Sequence, residues 1–117
     1  MASILLLSMT EDGTTALAEL AAAGHQLEHV EPRYPECRSQ LEGRRFDLVL
    51  VDSRESPSHG RATAGWLAAE PRLRTVPFVF LDVSDKDVPR VKKEVPRAQF
   101  ATWSSVVGTS LRLMDRK

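Results

Sequence analysis

The stretch Phe46–Asp52, FDLVLVD, decides how this chain is read. Phe46, Leu48, Val49, Leu50 and Val51 are apolar in near-continuous order, and the run ends on a carboxylate at Asp52. A run this short and this continuous marks a strand covered on both faces. The acid at its end poses the chemical question. Such a group can be a catalytic residue, a metal ligand, a phosphate acceptor, a helix cap or a solvated strand end.

Working outward, two more runs have the same character: Ser3–Ser8 (SILLLS), and 76–83 (VPFVFLDV), which ends near a second acid, Asp82. QLEHVEP (26–32) alternates, with Leu27 and Val30 inward, and predicts a weaker edge strand; AQFATW (98–103) predicts a fifth strand. Helical patterns fall between them. In 10–24, Thr10 or Asp12 can cap a helix, Ala16, Leu17, Leu20 and Ala21 form an apolar face, and Gly24 can stop it. Pro35 can open a short helix carrying Cys37 and Leu41, ended near Gly43. SRESPSHGR (53–61) reads as a polar loop and ATAGWLAA (62–69) as a helix, closed by EPRLRT. VPRVKKEV (88–95) predicts a helix with Val88, Val91 and Val95 inward; 105–117 predicts a last helix with Val106, Val107, Leu111 and Met114 as its stripe. Strands that alternate with helices in this way predict a mainly parallel α/β sheet with helices on both faces.

The 117 residues suffice for one domain, expected to span 1–117, and 42% of them are hydrophobic. Sixteen Lys plus Arg balance sixteen Asp plus Glu, so no whole-chain charge points to nucleic acid or an anionic membrane. No apolar run reaches membrane-spanning length, and MASILLLSM lacks the basic start and cleavage site of a signal peptide. Cys37 is the only cysteine, which suits a reducing cytoplasm. A cytoplasmic protein with no nucleic-acid or membrane partner is the expectation.

FDLVLVD, followed by WLAAEPRLRTVPFVFLDV (66–83), resembles the response-regulator receiver family, the fold of the chemotaxis response regulator. The likeness covers nearly the whole chain in element order and is sharpest between Phe46 and Val83. It implies a flavodoxin-like, doubly wound, five-stranded parallel sheet in the order 2-1-3-4-5, with its site beyond the carboxyl ends of the strands. It also implies that Asp52 is the phospho-acceptor position. In that family an acidic pair after the first strand holds Mg²⁺, a Ser or Thr follows the fourth strand, and a Lys follows the fifth. Pro57 corresponds to a family proline after the acceptor, with one residue extra.

At these positions the chain departs from the pattern. Ser8 and Met9 stand at the acidic pair, and a thioether is a poor ligand for a hard cation. Asp82 stands where the hydroxyl belongs and Trp103 where the Lys belongs, while Phe100 matches the switch aromatic in type. The expectation is a degenerate pocket of Ser8, Met9, Asp82 and Trp103 around an inactive Asp52, with no catalytic residue, metal or cofactor. Several alternatives stay open. Glu11 or Asp12 can substitute for the missing pair by a register shift. Asp52 and Asp82 can form a metal-binding or acid/base pair. Arg54 can pair with one of those acids.

Three functions compete. The first is a stand-alone pseudo-receiver, a signalling module acting through protein–protein contacts. Its partner or self-association face would be the fourth helix, fifth strand and fifth helix of the family, carrying the basic residues Arg90, Lys92 and Lys93 here. Its apolar centre would come from Val91 or Val95. The second is an active receiver phosphorylated on Asp52 in a two-component phosphorelay. The third is a small flavodoxin-like enzyme or ligand binder. SMTEDGTT (8–15), with its one Gly, gives no Gly-rich phosphate loop for a flavin or nucleotide.

Overall fold

A computed structural model describes residues 2–10, 12–52, 54 and 57–115. Five strands, β1 (Ser3–Leu7), β2 (Gln26–Val30), β3 (Leu48–Asp52), β4 (Phe78–Leu81) and β5 (Gln99–Ala101), form one sheet in the order β2-β1-β3-β4-β5. Every pairing is parallel; in the central one Leu5 lies beside Val49 and Leu7 beside Val51. The flavodoxin-like sheet order anticipated above is the one observed.

The two-residue period of the strands sorts the core into two layers. Leu5, Leu7, Val49, Val51, Phe78 and Phe80 pack on one face with Cys37, Leu41, Ala64, Leu67, Val91 and Val95. Ile4, Leu6, Leu48, Leu50, Val79 and Leu81 pack on the other with Leu17, Leu20 and Val106. Because helices cover both faces, β1, β3 and β4 have no polar side. This is why their sequences read as unbroken apolar runs.

The helices are α1 (Asp12–Ala16), α2 (Ala18–Ala22), α3 (Arg38–Leu41), α4 (Pro57–Ala68), α5 (Val88–Glu94) and α6 (Val106–Met114), with a 3₁₀ turn at Pro71–Leu73. Several details differ from the sequence reading; the short helix expected to open at Pro35 begins only at Arg38, because 34–37 form a turn before it. The first helical segment breaks at Leu17, where Leu20 N–H donates to Leu17 O at 2.9 Å in a tightened turn; Leu17 and Leu20 are buried but Ala16 and Ala21 are exposed. α4 opens at Pro57, not Ala62, because a proline fits the first helical turn, where its missing N–H has no intrahelical acceptor. β4 stops at Leu81, and Asp82 follows in the left-handed region at φ 51°. Asp tolerates this conformation better than most residues.

Arg97 ties the approach to β4. Its guanidinium donates to the carbonyls of Ala68, Leu73 and Val76 and stacks on Phe78. Burial lowers its pKa from the ordinary value. No helix among the described residues is long and apolar enough to cross a membrane.

Candidate functional site

The carboxyl ends of β1, β3 and β4 bring Ser8, Asp52 and Asp82 to one rim of the sheet. Asp52 is the last residue of β3 and its side chain is only 3% exposed. Ser8, fully buried just past β1, donates its hydroxyl to Asp52 Oδ2 at 2.9 Å. The Thr10 amide donates to that same Ser8 oxygen, and the His29 ring Nε2 donates to the Ser8 carbonyl at 2.7 Å. Ser8 is therefore held from its main chain and its side chain together.

The remaining capacity of Asp52 goes to Arg54. Arg54 Nε lies 2.9 Å from Oδ1 and 3.1 Å from Oδ2, and Nη2 lies 2.9 Å from Oδ2. The Arg54 amide adds a bond to Oδ1 at 3.2 Å. A planar guanidinium can fork onto a carboxylate in this way; an ammonium cannot. Its hydrogen bonds to Asp52 raise the Arg54 pKa above the ordinary value. Burial opposes this, and the charges of Asp52, Asp12 and Asp82 reinforce it. The Arg54 side chain remains 45% exposed, so the pair sits at the mouth of the site with its acid inside.

Trp103 supplies the outer wall. The Arg54 guanidinium carbon lies 4.9 Å from its ring centroid, within cation–π range. The edge of the same indole rests against Gly13, where a Cβ would lie 2.7 Å from Trp103 Cη2 and 2.8 Å from Leu6 Cδ2. Beside this stack opens a cleft of about 240 Å³, lined by Arg54, Pro57, Arg61, Asp82, Ser84 and Asp87.

Among the described residues, the other expected site residues make no hydrogen bond to Asp52. Met9 is half-buried, Asp82 is exposed, and Phe100 is half-buried with its ring 6.3 Å from that of Phe80. Asp12 is the exposed first residue of α1, and Glu11 lies outside the described residues. The cap expected from Thr10 is not made: its hydroxyl is buried without a hydrogen-bond partner among the described residues. Arg90, Lys92 and Lys93 are exposed; Arg90 pairs with Asp87 at 3.6 Å, and Lys92 Nζ sits 6.0 Å from the Phe100 ring centroid. Val91 and Val95 are spent in the core, so neither can supply the apolar centre expected for that face.

One contact at the site was open in the sequence and a second was missed. Pairing with Asp52 was one of two options for Arg54, and nothing in the spacing chose it. The place of Gly13 under an indole had a weak signal, a glycine in the first turn of a helix where alanine is better.

The magnesium ion implied by the family resemblance does not fit the residues present. Ser8 and Met9, which follow β1, offer a hydroxyl and a thioether, and the Asp52 carboxylate is engaged by Arg54. Among the described residues no three His, Cys, Asp or Glu are grouped to hold a metal.

Solved structures of receiver domains share this fold. The signal receiver domain of a signal transduction histidine kinase from Syntrophus aciditrophicus is 27% identical, with TM-score 0.76 over 98% of this chain and 91% of that one. The phosphorylated cyanobacterial phytochrome response regulator RcpA is 16% identical, with TM-score 0.76 over 99% and 96%. The Mn²⁺-bound form of response regulator Rcp1 is 19% identical, with TM-score 0.69 over 92% and 91%. No protein-family model and no curated protein matches the chain. The fold is that of the response-regulator receiver domains, a class of signalling modules.

Proposed function

We propose that this chain is a pseudo-receiver, a single-domain signalling module of 1–117 that acts through protein contacts and accepts no phosphoryl group. One observation carries the reading: both oxygens of Asp52 are already engaged by Ser8 and Arg54. A phospho-acceptor must present a free carboxylate lone pair in line with phosphorus, and the charge that develops must be neutralised from positions fixed in advance. Here the attacking oxygens are bound, and Trp103 stands in place of the lysine that would meet the phosphoryl oxygens. Met9 adds no ligand for a hard cation. The module is accordingly not an enzyme. Its contact surface is the exposed face of α5, β5 and α6, with Arg90, Lys92 and Lys93 beside the half-buried Phe100.

A second reading, an active receiver, has one observation in its favour. The charge of Asp12, an acid of the β1–α1 region, acts on Arg54, the partner of Asp52. Intact-mass analysis after incubation with acetyl phosphate and Mg²⁺ separates the two. The pseudo-receiver keeps its unmodified mass; a stoichiometric phosphate adduct mapping to Asp52 establishes the active receiver.

A further inference from the structure

One helix and two connections of the fold meet in one stack. Gly13 in α1, Trp103 in the turn after β5 and Arg54 in the β3–α4 connection lie in sequence against one another, and Arg54 ends the stack on Asp52. The guanidinium does two things there that a point charge cannot do together. It forks onto the carboxylate, and its central carbon lies over the indole at 4.9 Å from the ring centroid.

We propose that Arg54 is a resident counter-cation, standing where the fold class takes a divalent ion and, through its stack on Trp103, holding the β5–α6 turn in one arrangement. This rests on the pseudo-receiver reading of the same site. A free ion occupies its site according to its concentration, whereas a cation two residues along the chain from its acid is present at a high effective concentration in all conditions. The site is then permanently neutralised and indifferent to Mg²⁺. The residue types agree with this assignment. An ammonium in place of Trp103 would set a second cation against Arg54, whereas an indole gives it a face to rest on. The burial of Asp52 also requires a resident partner, because a carboxylate with a side chain 3% exposed is costly to leave unpaired.

The test uses the full chain carrying Trp66→Phe, which leaves Trp103 as the single indole of the two in the sequence. Its emission and acrylamide quenching are followed during a Mg²⁺ titration at constant ionic strength. The parent protein is expected to show no saturable change. Arg54→Ala should red-shift the emission and increase quenching. Asp52→Asn should act in the same direction by loosening the fork, and the double variant should add little to either. Arg54→Lys should resemble Arg54→Ala, because charge without the planar fork does not restore the stack.

A saturable Mg²⁺ response in the parent, or Trp103 emission and quenching unchanged in a folded Arg54→Ala, overturns the proposal. If Arg54→Ala does not fold by circular dichroism, Arg54→Lys and Asp52→Asn give the same reading, and unchanged emission in both overturns it equally. The two readings fail separately. A phosphate adduct contradicts the pseudo-receiver whatever the fluorescence shows, and an indifferent Trp103 contradicts the resident cation whatever the mass shows.

Discussion

The edge of the Trp103 indole lies where a side chain on Gly13 would have to go. A Cβ at Gly13 would meet Trp103 Cη2 at 2.7 Å and Leu6 Cδ2 at 2.8 Å, closer than any relaxed carbon contact. α1 thus accepts a poor helix former so that the ring can close over the site.

Gly13→Ala tests that relationship. Alanine should gain about 1 kcal/mol of helix propensity, but overpacking costs about 1–3 kcal/mol. The expected net is a destabilisation of about 1 kcal/mol in urea melts, from the balance of these two effects. In a background where Trp103 is replaced by Leu, the clash is relieved and the same change should be neutral or stabilising. A Gly13→Ala protein more stable than its parent would show that the ring yields freely.

The sheet was legible because burial on both faces leaves a continuous apolar run. FDLVLVD, SILLLS and VPFVFLDV fix three strands, and the alternation of elements fixes the class. The start of α4 was hidden because Pro57, Ser58, His59 and Gly60 have loop composition, and the helix is held there by what Gly60, Thr63, Ala64 and Leu67 bury. The position of Asp52 was also legible, and its pairing with Arg54 was open as one of two options. An acid and an arginine two residues apart have no periodicity to settle that they meet. Val91 and Val95 face inward, as their spacing predicts, which removes them from the surface where an apolar contact is expected.

On the edge strand, Glu28 pairs with Arg44. The hydrogen bond from Arg44 lowers the Glu28 pKa from the ordinary carboxylate value. Burial opposes this, and the Arg44 charge adds to it. A depressed folded pKa stabilises the fold above the unfolded pKa, and that contribution disappears as pH falls through the folded value. The side chains are 40% and 42% exposed, so solvent screening holds the contribution to about 0–1 kcal/mol. Glu28→Gln should therefore lie slightly below the parent in stability at neutral pH and converge with it in acid. A gap that widened toward low pH would contradict the pairing.

The basic face predicts weak association. Lys92 and Lys93 are exposed, and exposed ion pairs contribute only about 0–1 kcal/mol each. With Val91 and Val95 buried, the half-buried Phe100 is the apolar residue left beside Lys92. Self-association through this face should be concentration-dependent and weakened by salt. In sedimentation equilibrium, a Lys92→Glu, Lys93→Glu double variant should remain a monomer where the parent does not. A parent that is monomeric at the highest concentrations reached would show that the face makes no contact with a second copy.

The state of the Asp52 carboxylate in the presence of a phosphoryl mimic tests the account most directly. A crystal structure of the full chain grown with Mg²⁺ and beryllium fluoride reads it at the atom concerned. The account predicts Arg54 still forked onto both oxygens of Asp52, Trp103 stacked beneath it, and no group attached to the carboxylate. A beryllofluoride on Asp52, with a cation beside it and Arg54 displaced from the pair, would contradict the account.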